Sequence, residues 1–298
     1  HSPEEAIKTA QELAAAAFGA DRTFFLVNGT TAGIYAMIMA ATEPGDKIIV
    51  PRNCHKAVTG AVILGRLHPI YINPDTDSRL SIASGISADT IQQAVRQHPG
   101  AKAIVITNPT FYGACSDLET IARIAHENGM LLLVDEAHGA HFAFHPKLPK
   151  TALQCGADMV AQSTHKTLPS MTQSSMLHVK SSNVDIDKLK VFLQLTQSTS
   201  PSHILLASLD TARYIMQQKG KELLDDVINW CELLRQEMNG LEGIYCLSKE
   251  DIGRDSIFDI DSTRITINMK GLGMSGMDAD HILRHQFKVQ VEMADLYN

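Results

Sequence analysis

Four short stretches of this sequence carry residues that could act together as a chemical site. Ser163-Thr164-His165-Lys166 ends in a lysine just past the apolar run from Met159 to Gln162. A lysine partly removed from water loses some of its preference for the charged form, and its amine becomes a better nucleophile toward an aldehyde. Asp135 closes the run Met130 to Val134, so its carboxylate belongs at the rim of a buried strand. Desolvation there calls for a cationic partner, and a protonated pyridine nitrogen is one. Asn28-Gly29-Thr30-Thr31-Ala32-Gly33 follows a strand-type run and opens a helix-type one. Its glycines permit a tight turn, and its backbone N–H groups, with the Thr30 and Thr31 hydroxyls facing outward, would form an anion cradle. His55, in Arg52-Asn53-Cys54-His55-Lys56, falls just past a helix cap expected at Asn53, where its ring could stack on a planar ligand.

Each stretch also has an ordinary structural reading. Lys166 could snorkel beside the sheet, Asp135 could cap a neighbouring helix, the Gly/Thr turn could be a plain helix start, and His55 a surface histidine. The letters Val-Asp-Glu-Ala-His mimic a helicase motif, but the chain has no G-x-x-x-x-G-K-[ST] loop to go with it. His138, His141 and His145 fit no zinc-finger pattern and lack the glutamate of H-E-x-x-H, so no metal site is expected.

The elements that would position these residues are those of an α/β fold. Strand-type runs lie at Thr23 to Val27, Lys47 to Val50, Pro69 to Ile72, Ala103 to Thr107, Leu131 to Asp135, Met159 to Ser163 and Ser175 to Val179, alternating with helix-period segments. This is the pattern of a mostly parallel sheet flanked by helices, with strands buried on both faces. Ser116-Asp117-Leu118-Glu119 reads as a capping box opening a helix that Gly129 can close. Glu43-Pro44-Gly45-Asp46 and His98-Pro99-Gly100 read as turns. Beyond Lys180, helices are expected at roughly 185–196, 201–218 and 221–239, the second capped by Ser200 ahead of Pro201. Strand-like pieces at Tyr245 to Leu247, Arg264 to Met269 and Val289 to Met293, with a helix near Ser275, suggest an incomplete small α+β domain over 221–298, after a large domain over 1–220. At the other end, Ser2-Pro3-Glu4-Glu5 reads as a capped helix start with proline first, like a fragment boundary.

Composition narrows the function classes. The chain has 298 residues, 44% of them hydrophobic and 20% charged, with a formal charge of −7. It should fold, and it offers no broad basic surface to nucleic acid or to an anionic membrane. No apolar run approaches the roughly 20 residues that cross a bilayer, and no signal-peptide pattern is seen, so a cytoplasmic location is the default expectation. The five cysteines form no C-x-x-C pair.

In open α/β sheets ligands bind at the carboxyl ends of the strands, where all four stretches fall. A phosphate cradle, a stacking ring, an aspartate for a ring nitrogen and a Schiff-base lysine are jointly what a pyridoxal 5'-phosphate site requires. The sequence also resembles the Orn/Lys/Arg decarboxylase family, major domain, of the aspartate-aminotransferase-like fold type I. The resemblance rests on Val27 to Gly33, Arg52 to Lys56, Thr107-Asn-Pro-Thr-Phe-Tyr-Gly113, Val134 to His138, Ser163 to Lys166 and Ser198-Thr-Ser-Pro201, in family order.

It implies that Lys166 carries the coenzyme, Asp135 pairs with its ring nitrogen, and His55 and Ala137 pack on the two ring faces. Thr31, Ala32, Ser163 and His165 would bind the phosphate, alongside Thr30 of the anion cradle read above, with Thr199 and Ser200 reaching the phosphate of a neighbouring subunit in a homodimer or higher oligomer. The implied reaction is decarboxylation of a basic amino acid, arginine first and lysine or ornithine next, to an amine of the kind used in polyamine biosynthesis. The resemblance further implies missing regions before and after this chain, the latter helping to close the site. The rival readings are another fold type I enzyme, such as an α-oxoamine synthase or aminotransferase, a coenzyme-binding sensor without turnover, and an ordinary nucleotide-binding domain. The His165-Lys166 pair favours the decarboxylase.

Overall fold

A computed structural model of the chain describes residues 3–298. Seven strands, β1 (Arg22–Leu26), β2 (Lys47–Pro51), β3 (His68–Ile72), β4 (Ala101–Thr107), β5 (Leu131–Asp135), β6 (Met159–Gln162) and β7 (Ser175–Val179), form one sheet in the order β1-β7-β6-β5-β4-β2-β3. All neighbouring pairs are parallel except those made by β7, which runs antiparallel to both β1 and β6. All seven strands match the expected runs to within two residues at either end.

Alternation along each strand explains the layers, because successive side chains point to opposite faces. Ile49, Ile104, Ile106, Leu132, Val134, Val160 and Met176 enter one buried cluster. Ile48, Val50, Ala103, Val105, Leu133, Met159, Ala161 and Leu177 enter the other. The first cluster is covered by α1 (Glu5–Phe18), α4 (Ala88–Gln97), α5 (Leu118–Glu127) and α8 (His203–Asn239). The second is covered by α2 (Gly29–Ala41), α3 (Lys56–Leu64) and α7 (Ile186–Thr196). Each fully buried Ile or Leu stabilises this sandwich by about 1.5–3 kcal/mol.

Several local expectations are corrected. Asp117 alone caps α5, accepting from the Thr120 N–H, while the Ser116 hydroxyl accepts from the Ile86 N–H instead. Helix α1 begins at Glu5 with Glu4 as an uncapped N-cap, so Pro3 lies outside it; Ser2 falls outside the described residues. The two helices expected over 201–218 and 221–239 are one helix of 37 residues, capped by Ser202 rather than Ser200. It runs on through Gly220 because its buried face is unbroken: Leu209, Ala212, Met216, Gly220, Leu224 and Ile228 recur every three or four residues. Gly220 supplies close approach there, since a Cβ would sit 3.1 Å from that of Phe144.

The last segment folds back on the sheet's edge loops. Asp259–Ile260 pairs antiparallel with Ala114–Cys115, and Tyr245–Cys246 pairs with Ile267–Asn268. The expected strand at Val289 to Met293 is irregular chain with a bend at Glu292, and it joins no ladder among the described residues. Helix α9 (Gly276–Ile282) opens at Ser275 with a capping box, as its sequence indicates. No helix of the described residues is long and apolar enough to cross a membrane.

Candidate active site

The strand order places the four stretches along one edge. β1, β2, β5 and β6 end there, and β7, being antiparallel, starts there with Ser175 opposite Leu26. After β1, Gly29 takes φ +72°, a conformation suited to glycine, and its N–H donates to the Gln173 carbonyl at 3.0 Å. Helix α2 starts immediately. Its N-cap residue Asn28 makes no capping bond, because its side-chain amide donates to the Thr196 carbonyl at 3.2 Å. Leading N–H groups of a helix have no acceptor within it, so α2 presents an uncapped, partly positive end to this edge.

Thr30 corrects the expectation of outward hydroxyls. It is buried, with Oγ1 hydrogen-bonded to the Ser163 hydroxyl and 2.9 Å from Ser175 Oγ, so that three hydroxyls join the ends of β1, β6 and β7. Thr31 is half-buried and Ala32 buried on the same turn. Past β6, Ser163 leads into the single turn α6 (Thr164–Thr167), which carries His165 and Lys166. His165 Nδ1 lies 2.7 Å from the Ser174 carbonyl, so that nitrogen is the donor.

Lys166 and Asp135 face each other electrostatically across adjacent strand ends. Asp135 is 2% exposed, and one oxygen accepts the Ala137 N–H at 3.2 Å. Burial pushes its carboxyl up to about 6, against the smaller lowering effects of that bond and of Lys166. Lys166 has an exposed side chain, yet partial loss of water lowers the pKa of its amine, with Asp135 and Glu292 opposing the shift and Arg264 adding to it. Its Nζ lies 3.1 Å from His138 Nε2. His138 is held neutral, its pKa brought down to about 3 by burial first and by Lys166 second, and its Nδ1 is buried without a partner. His55, rather than Asn53, caps α3, its Nδ1 accepting the Ala57 N–H at 3.2 Å. Burial, then Lys166 and Lys56, lower its pKa too.

Three participants escaped the sequence reading. His138 stood in the sequence as the end of the Val134 to His138 stretch and as one of three spaced histidines but with no role given to it, whereas the tertiary structure sets it on Lys166 and sends the other two elsewhere: His141 Nε2 to Asp261 at 3.2 Å, and His145 Nε2 to Asp225 at 2.9 Å. Phe111 packs edge-on against the His138 ring at 5.3 Å, and Arg264 lies over Phe111 at 4.5 Å while pairing with Glu292 at 2.6 Å. Thr199 and Ser200 are exposed between α7 and α8, and among the described residues no hydrogen bond joins them to the other site residues.

The donor set fits pyridoxal phosphate on two observations. A buried carboxylate whose acidity is set mainly by desolvation suits a protonated ring nitrogen, and an uncapped helix end beside a hydroxyl cluster suits a phosphate.

Comparison with known proteins identifies the family of the chain. The profile of the Orn/Lys/Arg decarboxylase family, major domain, matches residues 1–293. This chain belongs to that family. Among curated relatives, an arginine decarboxylase of Bacillus anthracis is 45% identical over 298 residues, covering 100% of this chain and 60% of the relative. An arginine decarboxylase of Bacillus subtilis (strain 168) is 43% identical, covering 100% and 61%. The crystal structure of the Francisella novicida lysine decarboxylase superposes with a TM-score of 0.81 at 26% identity, covering 99% of this chain and 47% of that one. The chain thus spans about three fifths of the length of these curated decarboxylase relatives. With this family the fold agrees: a mostly parallel sheet flanked by helices, as in fold type I enzymes.

Proposed function

We propose that this chain carries the coenzyme-binding part of a pyridoxal-phosphate-dependent decarboxylase acting on a basic amino acid, arginine before lysine or ornithine. The observation that carries the reading is the placement of an amine of lowered proton affinity, Lys166, and a buried carboxylate, Asp135, at the ends of adjacent strands, each within reach of the other's charge. The relatives at 43–45% identity, named arginine decarboxylase, support arginine as the substrate.

Lys166 is the residue to hold the coenzyme covalently, and Asp135 the partner of its ring nitrogen. His55 and Ala137 suit the ring faces; the start of α2 at Thr30, Thr31 and Ala32, with Ser163 and His165, suits the phosphate. When bound, pyridoxal phosphate supplies an aldehyde that takes up an amine and a ring that withdraws electrons from the neighbouring carbon. The chain's own groups do the rest. Asp135, anionic above about pH 6, holds a proton on a nitrogen facing it. Neutral His138 orients the Lys166 amine by accepting from its Nζ. Lys166 and His55, both shifted toward their uncharged forms, are the groups able to move a proton. Thr199 and Ser200, exposed here, are assigned to the phosphate site of a second copy, a role that calls for at least a homodimer.

Borohydride reduction of the protein loaded with pyridoxal phosphate, followed by peptide mass mapping, tests the attachment. The reduced coenzyme should be found on Lys166, and Lys166→Ala should take up none. Incubation with arginine, lysine and ornithine should release CO2 and agmatine, cadaverine or putrescine. Release from none of the three defeats the reaction, and label on another lysine defeats the site.

A further inference from the structure

Directly after Asp135 the chain buries a second carboxyl that faces away from the site. Glu136 is 0% exposed. Its Oε1 accepts the Ala152 N–H at 2.7 Å, and its Oε2 lies 2.6 Å from Gln162 Nε2. Gln162 Oε1 lies 3.0 Å from His178 Nε2, and His178 Nδ1 lies 2.8 Å from Thr23 Oγ1. Gln162 and His178 are fully buried, so a polar chain runs from the end of β5 across β6 and β7 to β1, beneath the residues that face the site. Glu136 also closes the turn that follows: its N–H donates to the Ala161 carbonyl, and its carbonyl accepts the Gly139 N–H. Gly139 is packed against it, since a Cβ there would lie 2.7 Å from Glu136 Cγ. Asp135, Ala137 and His138 all hang on this turn.

We propose that Glu136 is the positioning residue of the site: as a neutral acid it donates to Gln162, accepts from the Ala152 N–H, and so fixes the turn that aims Asp135 and His138 at Lys166. The chain of bonds has two self-consistent proton orders. With the Gln162 amide group donating to Glu136, both carboxyl oxygens accept and the group must be ionised. With the amide turned over, heavy atoms in place, the acid donates to Gln162 Oε1, Gln162 donates to His178 Nε2, and His178 donates from Nδ1 to Thr23. Burial favours the second order. It pushes Glu136 up to about 8, against the lowering effects of Gln162 and Ala152, and no cation contributes. The titratable groups near it are Asp135, the preceding residue, pushed up to about 6; Cys115 and Cys155, both shifted toward the neutral thiol; and His178, whose pKa is brought down to about 3 by burial.

The catalytic readout rests on the coenzyme reading; the proton order does not. Nitrogen-15 NMR of histidine in the protein without coenzyme should show His178 protonated at Nδ1 at pH 7, passing to Nε2 above about pH 8 as Glu136 ionises. Protonation at Nε2 throughout overturns the proposal. In the loaded enzyme, Glu136→Gln should keep kcat within about threefold, while Glu136→Ala should lower it tenfold or more with little change in KM and should shift the pH midpoint of the coenzyme absorbance. Equal losses in both variants, or an alanine variant altered only in melting temperature, would each overturn it. Should the alanine variant fail to fold, the histidine spectra of the wild type and of Glu136→Gln decide. A wild type with no coenzyme band would sink the coenzyme reading and leave the NMR result standing.

Discussion

Thr30 and Ser163, 133 residues apart in sequence, share a hydrogen bond where the ends of β1 and β6 converge on either side of β7. Ser175 completes the cluster at 2.9 Å from Thr30 Oγ1. The bond fixes the start of α2 against the turn that carries Lys166. Replacing Thr30 with valine keeps the shape and removes the hydroxyl. The expected cost is about 1–2 kcal/mol of stability, together with a roughly tenfold weaker hold on pyridoxal phosphate. Equilibrium dialysis of the variant checks it, and an unchanged Kd would show that the cluster does not shape the phosphate site.

Asp135 predicts a pH dependence of the coenzyme-free protein. Its folded carboxyl, pushed up to about 6, lies above its ordinary value of 3.8, so it is the neutral form that the fold favours. The stability associated with that neutral form is fully present below about pH 4 and is lost as pH rises through about 6, in all on the order of 3 kcal/mol. Urea denaturation of wild type and Asp135→Asn at pH 4 and pH 7.5 should show a loss in the wild type that the variant lacks. Parallel behaviour of the two proteins would mean that the carboxyl is paired or solvated. Bound coenzyme should cancel the loss.

His138 is expected to matter through the Lys166 amine 3.1 Å away. His138→Ala should lower the decarboxylation rate about tenfold to a hundredfold, or about 1.4–2.7 kcal/mol of transition-state stabilisation. Because its own pKa is brought down to about 3, the pH–rate profile between pH 5 and 8 should contain no limb belonging to His138. A limb that disappears in the variant would assign it a titrating role instead.

Gly220 tests the continuity of α8. Alanine would gain about 0.5–1 kcal/mol in helix propensity, but its Cβ would press to 3.1 Å on Phe144 Cβ and Met216 Cε. Overpacking costs about 1–3 kcal/mol, so Gly220→Ala should be net destabilising by about 1 kcal/mol in chemical denaturation. A more stable variant would show slack between α8 and the segment carrying Phe144.

Sequence alone determined the layered α/β fold and four of the places where chemistry could sit. Those properties are local: Ile48, Ile49 and Val50 alternate between two apolar faces whatever lies beside them, and a polar residue at the end of such a run falls at a strand end. Only the tertiary structure decided which ends meet. The antiparallel course of β7 brings Ser175 to Thr30 and turns that hydroxyl inward. The return of the last segment lays Arg264 over Phe111 beside His138, although nothing near residue 264 announces it. The run of Glu136, Gln162, His178 and Thr23 is likewise invisible along the chain, because its members belong to four different strands or strand ends. Periodicity records which way a side chain faces; the order of the strands, set by packing over the whole sheet, chooses its neighbours.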